Sequence, residues 1–304
     1  LAYEAAVAGA IPIIKTLREG LAGNQISRIY GILNGTCNYI LSQMRESGRE
    51  FDDVLSEAQE LGYAEADPSL DIDGVDSAHK LSILAAVAFG CEIDFAAVYT
   101  QGIRGISLAD IRFAEELGYK IKLLGIAAAT DDGIEQRVHP CMVPKDAPIA
   151  TVEGVFNAIV ADGDHIDTLM QEGRGAGRLP TASAVASDIV DIARGNILPV
   201  FSVPTESLRP NRTAPMAKRL GPYYIRLMVV DRPGVFAEVA ASLRDHDVSM
   251  ESVLQHGHLP GEAVPVVLTT HDTKEAGLLK VLEEIQALEA VVEPPRMIRI
   301  EHFQ

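Results

Sequence analysis

The chain is poor in several things, and each shortage removes a class of protein. Its 304 residues include three cysteines, Cys37, Cys91 and Cys141, far apart and without CxxC spacing. Such a set supports neither a disulfide framework nor a zinc site. Long hydrophobic runs are missing too: the longest mostly apolar stretch, Leu81 to Cys91, is too short to span a bilayer. No basic start followed by an apolar stretch and a cleavage site opens the chain. Nothing therefore reads as a secretory signal, and the cytoplasm is the expected location. Positive charge is scarce, with 26 Lys and Arg against 43 Asp and Glu and a net charge of −17. That balance argues against nonspecific nucleic-acid binding and favours solubility. There is no GxGxxG fingerprint, no internal repeat and no low-complexity tract. What is left is a chain with 47% hydrophobic residues, the composition of a soluble globular protein long enough for about two domains.

Periodicity divides that chain into elements. Ile11 to Leu21 reads as a helix, with Pro12 tolerated in its first turn. Ile26 to Leu33 reads as a strand, which Asn34-Gly35-Thr36 breaks to open a helix through Met44. Phe51 to Leu61 is helical and stops at Gly62, and Val75 to Phe89 is a buried helix. Leu108 to Leu117 is a helix, and Ile121 to Ala128 and Glu135 to Met142 are strands around the turn Thr130-Asp131-Asp132-Gly133. Strands at Val155 to Ala161 and Ile166 to Met170 precede a helix from Pro180 to Arg194 carrying Ala184, Ile189 and Ile192. Strands and helices mixed without βαβ regularity predict an α+β domain. Ser202 to Pro222 has four prolines and no sustained period, so the boundary is placed there. The expected division is 1–205, a linker at 206–221, and 222–304. Beyond the linker, Tyr223 to Val230, Val235 to Asp245, Ser249 to His256, Ala263 to His271, Thr273 to Ala290 and Val291 to Ile300 give the order β-α-β-β-α-β, a ferredoxin-like arrangement.

The densest chemistry lies between Gly62 and Lys80, where five carboxylates (Glu65, Asp67, Asp71, Asp73 and Asp76) accompany Tyr63 and the amine of Lys80. Asp76 and Lys80 are four apart at the entry to a buried helix, so they share one face. An amine among carboxylates beside an apolar wall suits proton transfer, because local charge and desolvation act on it in opposite directions. The plain alternative is a solvated acidic loop that ends in an ordinary ion pair. His79 points about 100° away from Lys80 around the helix and receives no role. His256-Gly257-His258 is too isolated for a zinc site and reads as a loop turn.

The run from Gly62 through Asp76 and Ser77 to Lys80 resembles the signature of homoserine dehydrogenase. Two other segments resemble that family in order and spacing: Tyr3 to Ile14, the start of its catalytic domain, and Gly31 to Leu41, its substrate-site loop. With the run Gly173 to Thr181, the resemblance covers about the first two hundred residues. It implies an α+β, mixed-sheet catalytic domain and NAD(P)-dependent interconversion of L-homoserine and L-aspartate 4-semialdehyde in threonine and methionine biosynthesis. Lys80 would be the catalytic acid/base and Asp76 its orienting partner. Glu65 and Asp71 would hold the substrate, with Tyr63 and Thr36 beside it. Tyr63 equally closes a helix terminus. Cys37 replaces a common threonine and reads as a small buried residue, not a nucleophile. The peptide at Gly177 would approach the cofactor, although Gly173 to Pro180 is by itself an ordinary flexible turn before a helix. Glu4, Val7, Gly9 and Ile11 resemble a site for a monovalent cation such as Na+, with Ala10 in place of a common glycine. Members of the family carry a dinucleotide-binding domain ahead of the Tyr3 segment. The resemblance therefore implies a chain lacking most of that domain and inactive alone.

Asp231-Arg232-Pro233-Gly234-Val235, with Val248-Ser249-Met250 beyond it, resembles an ACT domain across 222–304. Such modules bind amino acids. The resemblance implies a feedback effector, threonine, at Asp231 and Gly234, where helix amides would take a carboxylate and Asp231 an ammonium group; a plain helix cap fits the same residues. A homo-oligomer formed through the catalytic sheet is expected from the family, with no nucleic-acid or membrane partner. The competing reading is an amino-acid-binding regulatory protein without dehydrogenase activity.

Overall fold

A single asparagine, two residues beyond the central strand of the first unit, starts the helix that follows. The structure is a computed structural model that describes residues 1–256 and 261–303; Gly257 and His258 lie outside the described residues. Contacts divide the chain into one unit of Leu1–Arg112, Ile121–Pro140 and Lys145–Ala214, and another of Phe113–Lys120, Cys141–Pro144 and Pro215–Gln304.

In chain order the first elements are α1 (Ile13–Lys15, continued as a π turn over Thr16–Gly20), β1 (Ile26–Ile32), α2 (Gly35–Ser47), α3 (Phe51–Glu60), α4 (Ser69–Ile72) and α5 (Val75–Phe89). They are followed by β2 (Tyr99–Thr100), α6 (Leu108–Glu116), β3 (Tyr119–Thr130), β4 (Gly133–Pro144), β5 (Phe156–Gly163), β6 (Asp167–Arg174) and α7 (Arg178–Ala193). The strands run in the order β6-β5-β1-β3-β4, and β2 pairs with β4 in parallel, so the sheet is mixed. Central β1 is antiparallel to both β3 and β5, with Tyr30 opposite Ile126 on one side and Val160 on the other. Gly31 is needed there, because a Cβ at that position would stand 2.3 Å from the carbonyl oxygen of Ala158. Helices α2 and α5 supply Ile40, Met44, Leu81, Leu84 and Ala85 to the core, all essentially inaccessible. By contrast α7 buries only Ala184, and Ile189 and Ile192 of its predicted apolar stripe are 61% and 56% exposed.

The second unit contains β7 (Leu220–Gly221), β8 (Tyr223–Val230), α8 (Val235–Asp245), β9 (Met250–Gln255), β10 (Ala263–Thr270), β11 (Thr273–Lys274), α9 (Glu275–Gln286) and β12 (Arg296–Ile300). The strand order β12-β8-β10-β9, with antiparallel neighbours, is the ferredoxin-like arrangement. Its core is Ile225, Leu227 and Leu268 from the sheet against Val239, Leu243, Leu278, Val281 and Ile285 from the two helices. Two predicted ranges are corrected. The last strand begins at Arg296 and not at Val291, since Pro294 and Pro295 cannot donate to a ladder. The helix before it ends at Gln286, four residues short of the predicted Ala290. Residues 206–221, expected as a linker, are tied down in part: Arg209 N–H donates to the Gly90 carbonyl, and β7 pairs with β11. Among the described residues no helix is long and apolar enough to cross a membrane.

Candidate active site

The chain leaves β1 at Ile32 and turns through Leu33 and Asn34 into α2. Asn34 caps that helix: its Oδ1 accepts the Cys37 N–H at 2.9 Å. The other end of the same amide does different work. Asn34 Nδ2 donates to Asp71 at 2.7 Å and to Asp76 at 2.9 Å, so one side chain ties the start of α2 to α4 and α5. Lys80 completes the group. Its Nζ donates to Asp76 Oδ2 at 2.6 Å and to the Leu33 carbonyl at 3.0 Å. The side chains of Lys80 and Asp76 are 19% and 32% exposed, partly desolvated yet still reachable from outside. Asp76, Lys80 and Asp71 are thus brought together, and Asn34, given no role from the sequence, is their junction. Its only sequence signal is that of an asparagine preceding Gly-Thr after a strand, which reads as a cap.

The remaining sequence candidates scatter. Thr36 Oγ1 donates to the Tyr63 carbonyl at 2.7 Å, so the two meet through the Tyr63 backbone and not its phenol. The Tyr63 ring packs on Tyr39 with centroids 4.9 Å apart. The Glu65 side chain is exposed, and its carbonyl accepts from Gln59. Asp67 caps Ser69, and the resulting hydrogen bonds hold its carboxyl below the usual range. Asp73 pairs with Arg104. The acidic loop therefore separates into Asp67 on a turn, Asp73 in an ion pair, an exposed Glu65, and two carboxylates, Asp71 and Asp76, joined through Asn34 beside Lys80. Cys37 is fully buried, and burial first, then Asp71 and Asp76, push its thiol well above the ordinary value. With its Sγ donating to the Asp71 carbonyl at 3.2 Å, it is a protonated packing residue, as expected. His79 stacks on Phe95 with centroids 4.0 Å apart, away from this cluster.

A second convergence lies at the same end of the unit's sheet, where β6 ends opposite the start of β5 and Ile32 of β1 pairs with Ala158. Gly177, at φ +121°, precedes the 16-residue α7 and offers no side-chain cap. The Arg174 carbonyl accepts the Ala10 N–H at 3.0 Å, and a Cβ at Gly9 would stand 2.7 Å from the Gly175 oxygen. The turn after β6 is thus seated on the segment that holds Glu4, Val7, Gly9 and Ile11.

Comparison with known proteins now decides the family. The family model for homoserine dehydrogenase matches residues 12–190, and that for the ACT domain matches residues 223–290. A homoserine dehydrogenase of Neisseria gonorrhoeae is 46% identical over 305 residues, covering 98% of this chain and 70% of that protein. The crystal structure of a homoserine dehydrogenase from Thiobacillus denitrificans superposes with a TM-score of 0.93 at 47% identity, covering 98% of this chain and 69% of that one. The chain belongs to the homoserine dehydrogenase family. Its members are NAD(P)-dependent oxidoreductases of amino-acid biosynthesis. A hyperthermophilic archaeal homoserine dehydrogenase solved in complex with NADPH covers 63% of this chain and 55% of its own, at 33% identity and a TM-score of 0.55.

For a homoserine dehydrogenase the α7 start is a fitting cofactor contact. Helix N-terminal amides with no side-chain cap suit an anionic or amide ligand, and Gly177 holds a positive φ at which a Cβ would be strained. The carboxylate of Glu4, expected at a cation site, is engaged within its own segment. Its oxygens accept the Ile14 and Lys15 N–H groups, each at 2.9 Å, so it faces the positive end of a helix, and the Ile11 carbonyl already accepts from Ile13. Burial raises the Glu4 pKa, and the Lys15 and Ile14 N–H groups act the other way. In the second unit, Asp231 and Gly234 rim a cavity of about 240 Å³ whose walls include Leu227, Val229, Val239 and Val266. Gly234, at φ +97°, is the uncapped N-cap of α8.

Proposed function

We propose that Lys80 is the proton-transfer group in the interconversion of L-homoserine and L-aspartate 4-semialdehyde. The observation that carries this reading is the junction of Lys80 Nζ with Asp76 and the Leu33 carbonyl, locked by Asn34. An ammonium has three donors, and two of them are committed here, which leaves one N–H direction for a substrate oxygen. In reduction that N–H gives its proton to the aldehyde oxygen as the oxygen gains charge. In oxidation the neutral amine takes the hydroxyl proton, and Asp76 holds Nζ in place through both. Gly177 and the start of α7 would hold NAD(P), which when bound would supply or accept the hydride. The NADPH complex of the archaeal relative supports NAD(P) as the class of cofactor. Asp71 and Glu65 receive the substrate's α-ammonium group, Asp71 from a position already ordered by Asn34. Thr36 and Tyr63 border the same space.

On this reading residues 1–205 form the catalytic part, 206–221 the connection and 222–304 an ACT module whose effector, threonine, enters at Asp231 and Gly234. The working protein is a cytoplasmic homo-oligomer. Lys80→Ala is the deciding experiment for catalysis. Turnover should fall by about 10²–10⁴-fold, the usual worth of a positioned acid/base, with the fold intact by circular dichroism. Near-normal turnover in a folded variant would defeat the assignment.

A further inference from the structure

Asn157 lies on β5 next to the apolar run Ala158, Ile159, Val160 and Ala161, and it is 1% exposed. Neither its Oδ1 nor its Nδ2 has a hydrogen-bond partner. A buried amide left unsatisfied is expensive, and asparagine is a poor strand residue, so an apolar side chain of similar size would serve the sheet better. Such a group calls for a specific account. Its neighbours suggest one. A Cβ on Gly175 would stand 2.2 Å from the Asn157 Cγ and Nδ2 and 2.4 Å from Oδ1, so the amide lies flat against that backbone. A Cβ on Gly35 would be 2.7 Å from the Val155 carbonyl oxygen and 3.5 Å from Asn157 Oδ1. Gly9 closes under the Gly175 carbonyl from the other direction. Two glycine positions, Gly35 and Gly175, therefore lie against the Asn157 amide, and Gly9 backs the second of them. Gly175 is in the turn before Gly177. Gly35 is the residue after Asn34, the junction of the Lys80 cluster.

We propose that Asn157 is a positioning residue for the Gly173–Gly177 turn: its amide is held in reserve for the turn's peptide groups and pairs with them when the cofactor docks at Gly177. The glycines follow from this role. Peptide groups can swing onto a side-chain amide only where no Cβ intervenes, and a side chain at 175 would occupy the place of the amide itself. The pairing would set the distance between the cofactor turn and the start of α2. It would affect the cofactor's binding without touching the reacting atoms. The inference rests on the placement of the cofactor at Gly177.

The test compares wild-type holoenzyme with Asn157→Leu and Asn157→Ala. NADPH affinity is read by fluorescence titration, homoserine KM by kinetics and stability by thermal melting. The expected result for Asn157→Leu is NADPH affinity weakened tenfold or more, homoserine KM within twofold of wild type, and a Tm equal to or above it, since the unsatisfied amide is gone. Asn157→Ala should lose NADPH affinity to the same degree while melting lower, because it leaves a cavity. Wild-type NADPH affinity in either folded variant overturns the proposal, and so does failure of both to fold, which would make Asn157 structural. If the Gly177→Val variant retains wild-type NADPH affinity, the placement at Gly177 is what fails, and the proposal falls with it.

Discussion

Asn34 shows how much one side chain can carry. Its oxygen caps α2 while its nitrogen joins Asp71 to Asp76, so removing it acts on stability and on chemistry at once. Asn34→Ala should cost about 1 kcal/mol from the lost cap. Turnover should also fall roughly 10-fold, the equivalent of one hydrogen bond to a charged group. Denaturant titration beside steady-state kinetics checks both. Reduced stability with unchanged turnover would leave Asn34 as a cap alone. The pairing of Asp76 with Lys80 was legible in the sequence because four residues on a helix is a fixed geometry. The role of Asn34 was not, because its partners lie 37 and 42 residues along the chain and only the fold brings them near. Glu4 shows a local use that the sequence did not reveal. A carboxylate in a suggestive motif was read as a ligand, yet its local use is to accept the first amides of α1.

At the scale of elements, period and punctuation were informative. The 15-residue α5 and strand β8 coincide with their predicted ranges, since a long apolar period or a run of β-branched and aromatic residues leaves little choice. Short elements were hidden. Helix α4 has four residues and no period of its own, and it is held by the Ser69 N–H donated to Asp67 Oδ1, just before its Pro68 N-cap, and by the wall beside it. Gly102 is part of that wall. In the sequence it belongs to a featureless connection, but a Cβ there would stand 2.1 Å from the Ile72 carbonyl oxygen and 2.4 Å from the Asp73 Cα. The backbone of residues 102–103 also binds α4 directly, through Ile103 N–H to the Ile72 carbonyl at 2.8 Å. Gly102→Ala should therefore push α4 away and carry Asp71 with it. The expected cost is about 1–3 kcal/mol, as for other overpacked sites, together with a raised KM for homoserine. A homoserine KM equal to wild type, in a variant of lowered Tm, would show that Asp71 does not depend on this contact.

At the scale of the whole molecule the question is whether an amino acid held in the second unit is felt at Lys80. The cavity at Asp231 and Gly234 has apolar walls and, in its lining, three polar side chains: Asp231, Arg232 and Gln255. A threonine there would set its ammonium at Asp231, its carboxylate at the uncapped amides of α8, its methyl group on the valines and its hydroxyl toward Gln255. Binding alone regulates nothing. Threonine must prefer one of two states of the protein, and coupling free energies of this kind are typically about 1–3 kcal/mol. Calorimetry of the whole chain should show heat on adding threonine, weaker heat with valine, and none with lysine. Gln255→Leu should narrow the difference between threonine and valine by roughly 2- to 10-fold, the net worth of one neutral hydrogen bond. By linkage, homoserine should bind with altered affinity when threonine is present, and threonine should shift by the same factor when homoserine is present. Sedimentation of the same samples reports the expected oligomer, and a monomer at micromolar concentration would count against it. Threonine heat with no reciprocal shift would leave the module a binding domain uncoupled from catalysis, and no threonine heat from a folded second unit would end the sensor reading.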